Sequence, residues 1–201
     1  FFTNKEIEDA SYVLDKNRFN ILWCLSGSGT NKKYPWTHQV WERLMQDDDY
    51  YIITVGDAVC KDLETLRHPR ILNLSGVMSM RLSMALTGLV DLVISPDTGT
   101  LHASGCCDTP KIGLLGHTTI ENITKHFKND HSIESQAVCA PCFRIIYHAD
   151  LQCPREEYSQ ACLCMGEIEA GQVYHRIETI KRKTWNRSKL KDTTNALCAV
   201  A

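Results

Sequence analysis

A membrane-crossing helix needs roughly 20 consecutive apolar residues, and no stretch of this sequence approaches that length. Charge is balanced too: 22 Lys and Arg against 24 Asp and Glu leave a net charge of −2, which removes the electrostatic reason to expect nucleic acid. Two nucleotide signatures are missing. The segment Gly27-Ser28-Gly29 lacks the third glycine of G-x-G-x-x-G, and no glycine directly precedes a lysine and a Ser or Thr, as a P-loop requires. Neither a nicotinamide site nor an ATPase site is therefore expected. There is no internal repeat and no low-complexity segment. No signal peptide opens the sequence, and its first residue is Phe1, so the chain is expected to be a fragment or an excised domain.

What is present is regular. The 201 residues suffice to bury a full core. Short β-branched apolar runs at 20–25, 50–55, 70–74, 91–95 and 111–115 alternate with stretches of helical spacing. That alternation predicts an α/β fold, a Rossmann-like parallel sheet with helices on both faces. Residues 1–19 read as an entry helix or interdomain linker, with Ile7, Ala10, Val13 and Leu14 on one face; 20–183 form the main domain, and 184–201 a tail. Ser79 is placed to cap one helix, and Val173, Ile177 and Ile180 mark a closing helix over 168–183.

Ligands of such sheets bind beyond the carboxyl ends of the strands. Two loops stand there. One is Asp97-Thr98-Gly99-Thr100, directly after the run at 91–95, where Thr98, Gly99 and Thr100 fall in the first turn of a helix. Backbone N–H groups lack partners in a first turn, the helix dipole is positive, and Gly99 presents no side chain to keep an anion away. Asp97 either caps the helix or accepts hydrogen bonds from ligand hydroxyls. The other loop, GSGTNKKYPW, carries Lys32 and Lys33, one of which suits a phosphate as a mobile point charge; the plainer reading is a solvated loop. A lysine facing a helix N-terminus fits a diphosphate leaving group.

SPDTGTLHAS, followed by PKIGLLGHTT, resembles the signature of the lipopolysaccharide heptosyltransferases, glycosyltransferase family 9. GSGTNKKYPW is similar to that family's second signature, and the cysteine-rich segment 139–165 followed by a closing helix is similar to the tail of many members. The resemblance implies the C-terminal, nucleotide-sugar-binding half of a GT-B enzyme. That enzyme transfers heptose, typically from ADP-heptose, with inversion to the lipopolysaccharide inner core. It implies that Lys32 and the backbone of Thr98, Gly99 and Thr100 bind the diphosphate and that Asp97 holds sugar hydroxyls. It also places the catalytic base and the acceptor contacts in a preceding domain outside this sequence. No cofactor is needed for the transfer, and a cytoplasmic location, peripheral at the inner membrane, is implied. Three positions depart from the pattern: Tyr34 in place of tryptophan, Thr100 in place of proline or an apolar residue, and His117 in place of proline.

His102 reads as a packed or hydrogen-bonded neighbour of the signature rather than an acid–base group. Asp57 sits where it would reach a nucleoside, or cap a helix. Of the ten cysteines, five crowd between Cys139 and Cys164. Structural zinc, disulfides and unbridged thiols all fit the spacing, in which Cys139 and Cys142 form a C-x-x-C pair. The family positions single out Cys139, Cys142, Cys153 and Cys164 as the metal set. Two other functions stay open: a GT-B enzyme using another nucleotide sugar, and a non-catalytic α/β module built on a cysteine-metal knob.

Overall fold

The first strand, β1 (Phe19–Cys24), is buried along its whole length, which is why its sequence FNILWC shows no alternation of polar and apolar residues. It pairs in parallel with β2 (Tyr50–Val55) on one side and β4 (Leu92–Pro96) on the other. With β3 (Ile71–Asn73), β5 (Lys111–Leu115) and β6 (Ile133–Glu134) the sheet has the order β3-β2-β1-β4-β5-β6, parallel throughout. The computed structural model describes residues 2–144, 153–158 and 161–198.

Helices cover both faces. α1 (Asn4–Ser11) packs on α4 (Met80–Leu86), and α4 on α5 (Gly99–Gly105). On the other face, α2 (Thr37–Leu44) packs against the long α8 (Ala170–Cys198). The short α3 (Ala58–Leu63) and α6 (Ile120–Ile123) complete the crossovers. No helix among the described residues is long and apolar enough to cross a membrane.

The elements form for local reasons. Asp57 caps α3 by accepting from the Cys60 N–H, and Ser79 caps α4 by accepting from Leu82. Val40, Trp41 and Leu44 bury one stripe of α2, with Trp41 edge-on to Trp23 of β1 at 5.9 Å between ring centres. Val173, Ile177 and Ile180 are buried on α8, each contributing on the order of 1.5–3 kcal/mol through the removal of apolar surface from water. Beside them the Lys181 ammonium stands 2.7 Å from Asp47 and 3.0 Å from Asp49, over the ring of Tyr50.

Two sequence expectations are corrected. α1 ends at Ser11, so Val13 and Leu14 lie past it and Ile7 is exposed; the capping box between Thr3 and Glu6 holds a helix of only two turns. The closing helix does not stop at 183. It runs on to Cys198, because after Gly171 the sequence offers neither glycine nor proline and is rich in strong helix formers.

One backbone position is demanding. Gly56, closing β2, has φ +149°, and a Cβ there would meet the Cys60 sulfur at 2.3 Å. Gly56→Ala should therefore lower stability by about 2–4 kcal/mol, read as a drop in the urea midpoint at unchanged slope. An unchanged midpoint would show that this turn carries no such constraint.

Candidate functional site

β1 and β4 are neighbours, yet the chain leaves β1 toward β2 and leaves β4 toward β5. Their crossovers diverge and open a crevice at the carboxyl edge between them. A cavity of about 410 Å³ lies there. Its wall includes Gly27 from the loop after β1, Asp57 from the start of α3, Met84 from α4, and Thr98, Gly99 and Thr100 from the start of α5.

The first turn of α5 is set by β4. Ser95, fully buried at the strand end, has its hydroxyl 2.8 Å from that of Thr98. Thr98 is the N-cap residue in extended conformation and makes no capping side-chain hydrogen bond, so the first-turn N–H groups receive no side-chain cap. A Cβ at Gly99 would meet nothing within 4 Å, so the cavity is open above that peptide.

Asp97 is not the cap. Its Oδ1 is 2.9 Å from His102 Nε2, one turn into α5, and its Oδ2 is 3.9 Å from His117 Nε2, on the loop after β5. The carboxylate is thus held between two imidazoles from different elements. His117 is buried. Burial pushes its imidazole below the ordinary value of 6.5, the Asp97 charge partly restores it, and Lys32 depresses it further.

Lys32 closes a short 3-10 turn, Thr30–Lys32. Its methylenes run across Gly27: a Cβ at Gly27 would fall 2.8 Å from Lys32 Cδ and 2.9 Å from Thr98 Cγ2. Lys32 and the 97–100 turn therefore meet over one glycine, at the His117 side of the cavity. Lys33 points elsewhere, lining a separate cavity with Tyr34, Trp36 and Asp62. Asp57 both caps α3 and lines the crevice cavity, so its two sequence readings coexist in one position.

Of the residues singled out in the sequence, Lys32, Asp97, Thr98, Gly99, Thr100 and Asp57 are gathered at one edge. Sequence reasoning missed His117 as the second partner of Asp97, and Cys24 and Cys60 in the cavity wall. The signal for His117 was its place on the loop after the neighbouring strand. Nothing in the spacing pointed to the two cysteines.

The cysteine-rich segment packs beneath the same loops. β7 (Glu156–Tyr158) and β8 (Ala161–Cys162) pair antiparallel and lead into α7 (Leu163–Gly166). Trp36 Nε1 donates to Gly166 O at 2.7 Å, and Asn31 Nδ2 donates to Arg144 O at 3.0 Å. Burial, reinforced by the nearby thiols of Cys139, Cys142 and Cys153, pushes Cys164 up to about 12. As they stand, no three His, Cys, Asp or Glu side chains among the described residues converge closely enough to hold a metal ion. Residues 145–152 and 159–160 of the segment lie outside the described residues.

Residues 2–150 match the model of glycosyltransferase family 9 (heptosyltransferase). Among solved structures, the chain is similar to E. coli ADP-heptose lps heptosyltransferase II, with 17% identity, TM-score 0.65, and 91% of this chain covering 53% of that one. It is also similar to the dodecameric iron-containing heptosyltransferase TibC in complex with ADP-D-beta-D-heptose. There identity is 13% and the TM-score 0.64, with 85% of this chain covering 47% of that one. E. coli heptosyltransferase WaaC with ADP matches at 17% identity and TM-score 0.58, over 87% of this chain and 48% of that one. The chain thus spans about half the length of these structures. No curated protein matches it in sequence. The fold they share with it is the Rossmann-like α/β half of a GT-B glycosyltransferase.

The environment of His117 makes a pH prediction. Because its folded-state pKa is depressed, its contribution to stability is complete above 6.5 and is lost as pH falls through the folded value. Urea midpoints should decline from pH 7 toward pH 5, and His117→Gln should flatten part of that slope. His131, also depressed by burial, contributes in the same direction. An identical slope in the variant would remove His117 from the account.

Proposed function

The chain belongs to glycosyltransferase family 9, and from that membership we propose that it is the C-terminal, donor-binding half of an inverting heptosyltransferase. Its donor is ADP-heptose, and the acceptor of the whole enzyme is the lipopolysaccharide inner core. The observation that carries this reading is the meeting of Lys32 with the 97–100 turn across Gly27, at the crevice between β1 and β4. The ADP-heptose and ADP bound by TibC and WaaC, which share this fold, support an adenosine diphosphate donor.

The chemistry follows from charge. As the anomeric bond breaks, negative charge grows on the departing diphosphate. The first-turn N–H groups of α5 and the Lys32 ammonium lie where they stabilise that charge without rearranging. Asp97, fixed by His102 and His117, accepts hydrogen bonds from sugar hydroxyls and orients the ring. Thr98, Gly99 and Thr100 act through their backbone, and Asp57 is placed to reach the nucleoside. The base that activates the acceptor belongs to the preceding half, so this chain alone binds donor and does not turn over acceptor. The whole enzyme works in the cytoplasm, peripherally at the inner membrane where its acceptor is held. The transfer itself uses no metal.

For Cys139, Cys142, Cys153 and Cys164 we infer a structural zinc, on the C-x-x-C spacing of the first pair and on the match of the set to the family positions; the four side chains would have to draw together around the ion from where they stand. The ion would fasten the cysteine-rich segment under the loop that carries Lys32. Elemental analysis of the purified chain should return about one zinc per chain, and a chelator should lower its melting temperature. Metal-free protein with four freely alkylated thiols would end this reading, and iron in place of zinc would correct the metal.

Calorimetric titration with ADP, UDP and GDP tests the donor. ADP should bind most tightly, and Lys32→Ala should weaken it about 10- to 100-fold, the share of a charge-assisted hydrogen bond of roughly 1.5–3 kcal/mol. Preference for UDP or GDP would assign another nucleotide sugar. Failure of every nucleotide to bind, even with an upstream domain restored, would favour a non-catalytic module.

A further inference from the structure

The wall of the cavity between β1 and β4 holds two cysteines that the transfer chemistry leaves unused. Cys24 ends β1 and Cys60 sits in the first turns of α3; both are almost fully buried from bulk solvent, yet both line the cavity. Their sulfurs point at one atom: Cys24 Sγ is 3.2 Å and Cys60 Sγ 3.5 Å from the carbonyl oxygen of Ser26. The pair is confined. Gly56 lies against the Cys60 sulfur with no room for a Cβ, and the Thr98 hydroxyl donates to the Cys24 sulfur at 3.8 Å. Neither cysteine belongs to the 139–165 segment, and both are free thiols.

The two thiols are chemically unequal. Hydrogen bonding from Cys60, with further help from Thr98 and Thr100, outweighs burial and draws the Cys24 thiol down to about 6. The same contact and burial hold the Cys60 thiol up. The first proton therefore leaves the pair more readily than the second, and the thiolate so formed stands beside a protonated thiol, which is the division between an attacking and a resolving cysteine.

We propose that Cys24 and Cys60 are a modification site, a dithiol in the cavity wall that hydroperoxides oxidise to an intramolecular disulfide. The Cys24 thiolate attacks one oxygen of hydrogen peroxide and breaks the O–O bond, giving a sulfenic acid and hydroxide. The Cys60 sulfur then attacks the Cys24 sulfur. An S–S bond forms as the S–O bond breaks, and the hydroxyl leaves as water with the Cys60 proton. Two thiols are oxidised by two electrons in all, and one peroxide is reduced to two waters. The product ties the end of β1 to α3 along one wall of the cavity. This chemistry is independent of which nucleotide the cavity takes.

The test uses the intact reduced chain, treated with a small excess of hydrogen peroxide under native conditions, then unfolded, alkylated and mapped by mass spectrometry. The expected result is a linked peptide joining Cys24 to Cys60 and loss of alkylation at those two positions, reversed by dithiothreitol. In Cys60→Ser the linked peptide should vanish and Cys24 should take a dimedone label. Full alkylation of both Cys24 and Cys60 after oxidation, with peroxide consumed only by exposed thiols such as Cys106 or Cys142, would overturn the proposal. That readout comes from the unsubstituted chain, so it stands whether or not Cys60→Ser folds.

Discussion

The site depends on the pairing of β1 with β4. Those two strands are brought side by side although 67 residues, with three α-helices and two strands among them, lie between Cys24 and Leu92 in the chain. Backbone hydrogen bonds between them set the height at which each strand ends. They therefore set where Ser26-Gly27 and Asp97-Thr98 emerge. If the ladder slipped by one residue, every inward side chain would face outward, and the two loops would part. The loops themselves need no attraction for one another. The sheet beneath places them.

A second layer of support comes from the cysteine-rich segment. It touches the loop after β1 through Asn31 and Trp36, and the loop after β5 through the Phe143 N–H, which donates to the His117 carbonyl. Met165 and Cys164 press against Gly116, just before His117. The segment therefore buttresses both Lys32 and the second partner of Asp97 from outside the sheet. Two of its cysteines touch these loops directly, Cys162 at the Thr30 hydroxyl and Cys164 at Gly116.

Much of this was legible in the sequence. The strands at 50–55 and 111–115 were expected with the bounds they have, because buried parallel strands are short, apolar and β-branched. Asp57 and Ser79 announced their helices by their capping chemistry. That the loop carrying Lys32 and Lys33 would open beside the 97–100 turn followed from parallel topology, and the choice of Lys32 came from the family resemblance. What was not legible depends on tertiary contact. Asp97 is an ordinary cap candidate until the fold brings His117 to it from another strand, and no periodicity records that approach. Cys24 and Cys60 look like plain core residues in sequence, and only the register of β1 with β2 and the tight turn at Gly56 turn both sulfurs toward one carbonyl. α1 and α8 missed at their ends, where local propensity competes with packing.

Gly27 is a different kind of site residue, since it contributes space. The lysine chain lies in the groove left by the absent side chain, with Thr98 on the far wall. The position of the ammonium is thus governed by a void one methyl group wide. A substitution that filled it would leave net charge, hydrogen-bonding groups and strand order untouched, and would still relocate the cation. Inspection of polar residues alone would class such a variant as silent, although the defect would be steric in origin and electrostatic in effect.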